Sequence, residues 1–301
     1  PSGKDETRKI LDKKEIDKNI KSIENVFKIF LKSKNSKTKP IFVNNYSWLS
    51  KLNYINFLRE IGKHFTINKM LTFDSVKLRL EREQSLSYME FNYMMLQSYD
   101  FYELNKRHKC ILQIGGSDQW GNIVNGTELI KRKQKKQTYG LTTPLITLAS
   151  GAKMGKTEKG AVWLNKKMLS PYEYWQFWRN TNDKDVINFL KLFTDLDVKE
   201  INNLKNNKDI NDLKILLANE TTAMLHGSKA AKDSETTAKK TFRDKSAGKN
   251  LPTIKIKKNE IAKGINILDL VLLTKLGGSK GDVRRMIKNN GLKINNENIK
   301  N

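Results

Sequence analysis

Cysteine, histidine and long hydrophobic runs are scarce in this sequence. The single cysteine, Cys110, excludes an internal disulfide framework and a cysteine-based zinc site, and it is typical of a reducing compartment. The three histidines, His64, His108 and His226, are scattered, so we predict no metal site. No stretch approaches the roughly 20 apolar residues needed to cross a bilayer, and no signal peptide is visible. We therefore expect a cytoplasmic protein without a membrane partner.

Acidic residues are few compared with basic ones. The 301 residues contain 57 Lys+Arg and 32 Asp+Glu, which gives a formal net charge of +25. Such a charge favours a polyanionic partner, most often nucleic acid. Only ten of the basic residues are arginine, and Lys, Asn and Ile are abundant, so drift of the composition toward lysine is an alternative explanation. The length is sufficient for two or three domains.

The first half of the chain alternates between strand-like and helix-like patterns. Short apolar runs predict buried strands at 41–43, 110–114 and 145–148. Helical spacing of apolar residues predicts helices at 16–30, from 48 to near 62, and at 87–105, and another beginning after a cap at Ser117 or Asp118. This alternation over 1–160 predicts an α/β fold with a parallel sheet.

The second half is predicted to be mostly helical. An aromatic cluster at 172–178 is interpreted as a packed core, and 227–250 as a lysine-rich helix followed by a linker. From residue 265, two helices separated by a glycine pair and a strand at 292–294 predict a small α+β unit. Residues 251–301 contain eleven Lys+Arg and four Asp+Glu, so this unit is predicted to bind RNA phosphates. The candidates are Lys280, Arg284, Arg285 and Lys288.

Three polar side chains lie on one face of the helix predicted at 87–105. The Ser87-x-x-Glu90 pattern is that of a capping box. The spacings of four and three between Tyr93, Gln97 and Asp100 place them on the same face. A phenol, an amide and a carboxylate suit a small zwitterion with a polar side chain, and a buried Asp100 would be costly to leave unpaired. The alternative is a polar stripe that faces solvent.

Two further segments suit a nucleotide. A strand runs directly into Gly115-Gly116 and then a helix, which is where parallel sheets bind nucleotides and helix N-termini favour anions. The segment 153–157, Lys-Met-Gly-Lys-Thr, places two ammonium groups and a hydroxyl around a glycine, as a polyphosphate would require. A plain structural turn and a chance pairing of abundant lysines are the respective alternatives.

Together these segments resemble class I aminoacyl-tRNA synthetases, specifically the bacterial tyrosyl-tRNA synthetases. The helix 93–101, YMMLQSYDF, is similar to their tyrosine-pocket helix, and 113–123, QIGGSDQWGNI, to their nucleotide loop. The 153–157 segment resembles the KMSKS loop, with methionine second and glycine central. Weaker matches run through 1–4, 44–65 and 74–81, and the terminal unit resembles a small RNA-binding domain shared with a ribosomal protein.

The resemblance implies that L-tyrosine and ATP give tyrosyl-adenylate and pyrophosphate, and that tyrosine then passes to the terminal ribose of tRNA-Tyr. It implies ATP as a substrate with Mg²⁺, no bound organic cofactor, and a homodimer. For tyrosine it implies that Tyr93 and Gln97 contact the amino group, Asp100 the phenolic hydroxyl and Gln119 the carboxylate or acyl phosphate, with Gln113 in the pocket.

For ATP, the resemblance implies close backbone approach at Gly115 and Gly116 and a ribose contact from Asp118. It assigns stabilisation of the pyrophosphate leaving group to Lys153, Lys156 and Thr157. The implied fold is an incomplete Rossmann-like catalytic domain at 1–164, a helical domain at 165–250, a linker at 251–264 and a truncated RNA-binding domain at 265–301.

The sequence departs from the family at both ends. The HIGH-type motif is absent, and the terminal unit stops at Asn301 before the expected final strands. We therefore expect a fragment that activates tyrosine poorly or not at all alone. Two alternatives remain open. One is a tryptophanyl-tRNA synthetase, against which Asp100 and the long nucleotide loop argue. The other is an RNA-binding or splicing factor on a synthetase scaffold.

Overall fold

The chain divides into two units, residues 1–154 and 155–301. The computed structural model describes residues 11–33, 35–151, 154, 156–157, 160–207, 209–242, 253–262, 264–274, 276–295 and 297–299. Among these residues, no helix is both long enough and apolar enough to cross a membrane.

Helices dominate the first unit, which contains one two-stranded sheet. Its elements are α1 (Lys13–Phe30), α2 (Tyr46–Leu49), α3 (Tyr54–Glu60), α4 (Ile67–Leu71), α5 (Asp74–Glu81), α6 (Tyr88–His108), β1 (Leu112–Gly116), α7 (Trp120–Gln134) and β2 (Tyr139–Thr143). Short 3-10 turns occupy Ser36–Thr38, Gly62–His64 and Ser117–Gln119. Strands β1 and β2 are parallel, with Leu112 opposite Tyr139 and Gly116 opposite Thr143. The helix α7 connects them, so the predicted parallel α/β arrangement is confirmed for this pair.

The packing of α6 against α7 forms the centre of the first unit. Phe101 on α6 is only 1% exposed, and Gly126 on α7 is buried beside it. A Cβ atom built on Gly126 would lie 3.0 Å from Phe101 Cδ1, so the missing side chain lets the two helices approach closely. A second cluster joins Met94, Met95 and Leu129 to the side chains of α3 to α5.

The start of α6 is the one that the sequence predicts. Ser87 Oγ accepts from the Glu90 amide at 3.2 Å, and the Glu90 carboxylate accepts from the Ser87 amide at 3.1 Å, so the capping box is formed. The Arg79 guanidinium, which donates to Glu90 at 2.9 Å, is the main cause that lowers the pKa of Glu90 to about 2. Helix α6 ends at His108, and the next residue, Lys109, caps it with a left-handed backbone at φ of 56°.

Two of the predicted strands are wrong. Residues 41–43 have no strand pairing, and Ile41 is 69% exposed. Phe42 instead lies against α1, with its ring centroid 6.5 Å from that of Phe27. Residues 145–148 contain only an isolated bridge at Thr147. The chain joins the sheet earlier, at 139–143. A strand is defined by its pairing with a neighbour, and an apolar run does not reveal that pairing.

Two predicted helix boundaries are also wrong. The single helix expected from 48 to near 62 is divided into α2 and α3, because the Asn53 side chain accepts from the Asn56 amide and starts a new helix. Neither Ser117 nor Asp118 caps α7. Both lie in a 3-10 turn, and α7 follows it at Trp120 without a side-chain cap.

The second unit is mainly helical, as predicted. Its elements are β3 (Lys156–Thr157), β4 (Gly160–Ala161), α8 (Pro171–Arg179), α9 (Asp183–Phe193), α10 (Val198–Asn207), α11 (Ile210–His226), α12 (Ser228–Phe242), α13 (Lys258–Ala262), α14 (Ile267–Leu273), α15 (Lys280–Lys288), β5 (Lys293–Ile294) and β6 (Glu297–Asn298). Strands β3 and β4 are antiparallel, as are β5 and β6.

Aromatic packing in the second unit confirms the core predicted at 172–178. Trp178 is buried, with its ring centroid 6.0 Å from that of Phe189 and 5.1 Å from that of Phe193. Near the C-terminus, Val271 and Val283 join α14 to α15 in a separate small core. Two helices and a short hairpin agree with the predicted α+β unit. The boundaries at 164, 250 and 264 stay predictions, and α13 lies within the segment expected to be a linker.

Candidate active site

The polar face of α6 is present as predicted. Tyr93, Gln97 and Asp100 lie on consecutive turns of the same face, while Met94 and Met95 point into the core. Tyr93 is 55% exposed, and Gln97 and Asp100 are half-buried. This face therefore presents a phenol, an amide and a carboxylate from a rigid, capped helix.

Asp100 is held by two hydrogen bonds from outside its helix. Trp48 Nε1 donates to Oδ1 at 2.7 Å, and Asn45 Nδ2 donates to Oδ2 at 2.9 Å. Burial raises the pKa of Asp100 above its ordinary value, and the two donated hydrogen bonds offset part of that rise. Each carboxylate oxygen has two lone pairs, so Asp100 keeps the capacity to accept from a ligand hydroxyl.

Asn45 and Trp48 extend this candidate site through their hydrogen bonds to Asp100, and the sequence reasoning did not single them out. Asn45 immediately precedes α2, and Trp48 lies within it at 4% exposure. Their only signal in the sequence was indirect. A buried tryptophan usually finds an acceptor for its N–H group, but the pattern does not say which one.

Further along α6, Arg107 lies over the ring of Trp48 and is bound by Glu103. Arg107 Nε donates to Glu103 Oε2 at 2.6 Å, and the Arg107 guanidinium lies 5.3 Å from the centroid of the Trp48 ring. Tyr99 donates its hydroxyl to Glu103 Oε1 at 3.0 Å. Burial, followed by this hydrogen bond, raises the pKa of Tyr99 to about 12.

Gly115 and Gly116, which were predicted to form a turn, instead lie in the last part of β1 and are tightly packed there. A Cβ atom on Gly116 would lie 2.8 Å from Asp118 Oδ1 and 3.0 Å from Leu145 Cδ2. A Cβ atom on Gly115 would lie 3.0 Å from the Gln119 Cβ. This end of the strand thus needs glycine for its own packing, which was the structural alternative. The 3-10 turn that follows places Asp118 and Gln119 at the carboxyl end of the strand.

Gln113 carries one of six buried side-chain polar atoms that lack a hydrogen-bond partner among the described residues. Its Oε1 atom is inaccessible to solvent and has no hydrogen-bond partner among the described residues. An unsatisfied buried acceptor costs about 1–3 kcal/mol, and such an atom in a native structure calls for an explanation. A ligand donor would supply one. The other predicted amide, Gln119, accepts from Asn122 Nδ2 at 3.2 Å through its Oε1.

The lysine loop is described in part. Lys153 and Gly155 lie outside the described residues. The backbone of Lys156 and Thr157 forms β3, which pairs with Gly160 and Ala161. The role of 153–157 as a phosphate loop therefore stays a prediction from the sequence.

The basic residues predicted to bind RNA lie on α15. Lys280 Nζ is 2.7 Å from Asp269 Oδ1, and Arg285 pairs with Asp282 one turn earlier in the helix. Arg284 and Lys288 are exposed. Internal ion pairs therefore take up part of the charge of Lys280 and Arg285, and we expect Arg284 and Lys288 to carry more of any phosphate contact.

The chain resembles known proteins along almost its whole length. The family model described as tRNA synthetases class I (W and Y) matches residues 1–243. A tyrosine–tRNA ligase from Pelagibacter ubique is 67% identical over 299 residues, covering 99% of this chain and 73% of that protein. One from Rhodopseudomonas palustris is 55% identical over 298 residues, covering 98% of this chain and 71% of that protein. This chain belongs to the class I tRNA synthetases of the tryptophanyl and tyrosyl type.

Solved structures of this family agree. A C-terminally truncated mitochondrial tyrosyl-tRNA synthetase from Coccidioides posadasii superposes with a TM-score of 0.64 at 29% identity, over 78% of this chain and 70% of that one. The corresponding enzyme from Aspergillus nidulans gives 0.62 at 27% identity, over 80% and 72%. The parallel β1–β2 pair and the helical content therefore belong to a class I synthetase fold.

Proposed function

We infer that this chain is a tyrosine–tRNA ligase. It activates L-tyrosine with ATP to tyrosyl-adenylate and pyrophosphate, and it transfers tyrosine to the 3′-terminal ribose of tRNA-Tyr. One structural observation carries the choice of amino acid: Asp100, a half-buried carboxylate with two fixed oxygens, lies on the polar face of α6. The tyrosine–tRNA ligases that match the chain at 67% and 55% identity support the same reaction.

The α6 face accounts for selection of tyrosine. We assign Asp100 to the phenolic hydroxyl and Tyr93 and Gln97 to the amino group. The unpaired Gln113 Oε1 supports a place for this residue in the pocket, where a ligand donor satisfies it. Phenylalanine offers no hydroxyl, so its binding leaves the partly desolvated carboxylate without that donor.

The glycine turn and the lysine loop account for chemistry at ATP. Gly115 and Gly116 admit the adenosine, Asp118 accepts from the ribose, and Gln119 faces the carboxylate or the acyl phosphate. Lys153, Lys156 and Thr157 stabilise the negative charge that develops on pyrophosphate as it leaves MgATP. Catalysis is thus positioning and electrostatic stabilisation without a covalent enzyme intermediate.

The remaining partners follow from the family and from charge. The basic α15 surface and the net charge of +25 support binding of tRNA.

We also propose a cytoplasmic homodimer. Tyr54 and Tyr88, whose hydroxyls lie 2.8 Å apart on an exposed part of the first unit, are candidates for its interface. Sedimentation equilibrium tests this. The wild-type protein should be a dimer and Tyr88→Lys should dissociate, whereas a monomeric wild type contradicts the proposal.

Amino-acid-dependent ATP–pyrophosphate exchange by the full-length protein tests the function. We expect exchange with tyrosine and little with tryptophan or phenylalanine. Lys156→Ala should lower exchange by about 10²–10³, the usual loss when one charge-stabilising donor is removed. Tyrosine binding by Lys156→Ala, measured by calorimetry, should stay unchanged. Lys159→Ala, which removes another lysine three residues along the chain, is the control for loss of charge and should keep the wild-type exchange rate.

Each outcome has a clear meaning. Exchange with tryptophan rather than tyrosine establishes the tryptophanyl alternative. RNA binding with no exchange by the wild type establishes the non-catalytic alternative. Unchanged exchange kinetics in Lys156→Ala contradict the role given to that lysine.

A further inference from the structure

A line of contacts leads from Asp100 to the last turn of α6. Asp100, Glu103 and Arg107 are separated by three and four residues, so they lie on one side of the helix. Trp48 lies against this side. Its indole N–H donates to Asp100 at 2.7 Å, and its ring face is 5.3 Å from the Arg107 guanidinium.

Glu103 fixes the position of Arg107. Glu103 is 4% exposed, and its two oxygens accept from the Tyr99 hydroxyl at 3.0 Å and from Arg107 Nε at 2.6 Å. A carboxylate this deeply buried is stable only with such partners. The pair therefore differs from an ordinary surface pair, although the Arg107 side chain itself is 46% exposed. Its guanidinium is held where it meets the indole.

The cation in turn holds the indole. An arginine over a tryptophan face is attracted by the ring quadrupole, and this contact restrains the plane of the ring. A hydrogen bond donated in the plane of the indole depends on that orientation, because N–H···O bonds weaken as they bend. A rotated indole would thus present its N–H poorly to Asp100 Oδ1.

We propose that Arg107 is a positioning residue for tyrosine selection, acting through Trp48 on Asp100. This inference rests on the proposed function, since it requires Asp100 to receive the tyrosine hydroxyl. The competing role for Arg107 is electrostatic stabilisation of the α6 C-terminus, which the neighbouring and exposed Lys106 shares.

The variant Arg107→Met removes the guanidinium and keeps an unbranched apolar stem. With the full-length protein, kcat/KM for tyrosine and for phenylalanine is measured by ATP–pyrophosphate exchange. We expect the tyrosine-to-phenylalanine ratio to fall about two- to fivefold, the worth of a partly exposed cation–π contact, through a higher KM for tyrosine. Lys106→Met loses the same charge in the same helical turn and should keep the wild-type ratio.

Arg107→Lys and a double-mutant cycle identify the path. Arg107→Lys keeps a cation and should recover part of the lost ratio. If Arg107 acts through the indole, Arg107→Met should change the ratio no further in a Trp48→Phe background. Additive effects in that cycle overturn the inference, as does a wild-type ratio in Arg107→Met or a ratio in Arg107→Lys equal to that of Arg107→Met.

The role of Arg107 and the proposed function can be refuted separately. If the wild-type protein prefers tyrosine but Arg107→Met behaves like Lys106→Met, only the role of Arg107 is lost. If the wild-type protein shows no preference for tyrosine, the proposed function fails, and the inference fails with it.

Discussion

The substitution D100N tests the tyrosine face most directly, because it removes charge and keeps shape. Asp100 accepts from two donors, Trp48 Nε1 and Asn45 Nδ2, one on each oxygen. The new amide has one acceptor and one donor group, so one of these two hydrogen bonds must be rearranged. Trp48 is the more buried donor and should keep the oxygen.

The fold should tolerate this change. Asn45 is exposed, so its amide can turn over and accept from the new NH₂ group through Oδ1. The free energy of unfolding should then change by no more than about 1 kcal/mol, the net worth of one neutral hydrogen bond. A chemical denaturation curve measures this and shows whether a loss of activity comes from unfolding.

The cost to tyrosine should be larger. Hydrogen bonds to a charged group are worth about 1.5–3 kcal/mol and neutral ones about 0.5–1.5 kcal/mol, so the hydroxyl loses about 1–2 kcal/mol. This predicts a five- to thirtyfold fall in kcat/KM for tyrosine, on the order of one factor of ten. Phenylalanine has no hydroxyl to lose, and the neutral amide removes the cost of leaving a desolvated carboxylate unpaired, so its kcat/KM should stay constant or rise.

ATP–pyrophosphate exchange kinetics of D100N with tyrosine and with phenylalanine test whether Asp100 accepts from the tyrosine hydroxyl. The control D118N alters the residue assigned to the ribose, so it should slow activation of both amino acids and leave their ratio unchanged. If D100N keeps the full preference for tyrosine over phenylalanine, Asp100 is not the hydroxyl acceptor, and the reasoning from its two donors is refuted.

Two further predictions concern pH and packing. In Asn45→Ala the pKa of Asp100 should rise further above its ordinary value, because a donated hydrogen bond that lowers it is lost. The acidic limb of kcat/KM for tyrosine should then move to higher pH, and a profile identical to that of the wild type contradicts this. Gly140→Ala should cost about 1–3 kcal/mol in urea denaturation, since its Cβ would lie 2.4 Å from Ile123 Cγ2. Gly281→Ala, where the added Cβ has room, is the control, and equal stability of the two variants refutes the packing argument.

Local patterns predicted the part of the site that lies on α6. A capping box fixes the first residue of the helix, and a period of 3.6 residues places Tyr93, Gln97 and Asp100 together whatever the rest of the chain does. A strand followed by a helix was likewise predicted here from neighbouring residues, but the strand lies at 112–116 rather than 110–114, so Gly115 and Gly116 belong to it, and α7 begins without the predicted cap. Here the confirmed elements depend on interactions within about 20 residues of sequence.

Local patterns did not predict the partners of Asp100 that are distant in the sequence. Asn45 and Trp48 reach Asp100 across 55 and 52 residues, so no local period connects them. The wrong strands at 41–43 and 145–148 have the same origin, because a strand requires a partner that the run itself does not specify. Arg107 looked like one of many basic residues, and only its place over an indole distinguishes it.

The packing of α6 on α7 connects the proposed tyrosine face with the proposed nucleotide segment. Helix α7 follows the glycine turn, and Asn125 on α7 donates to Gly121 O at 2.8 Å while its amide also approaches Met94 Sδ on α6 at 3.8 Å. The proposed tyrosine face lies on α6, and the proposed nucleotide segment leads into α7. The close approach of Gly126 to Phe101 determines the spacing between these two helices. In-line attack of a carboxylate on ATP requires the reacting atoms to be held about 3–3.5 Å apart. We therefore expect small core residues between α6 and α7, such as Gly126, to influence catalysis through the spacing of the two helices.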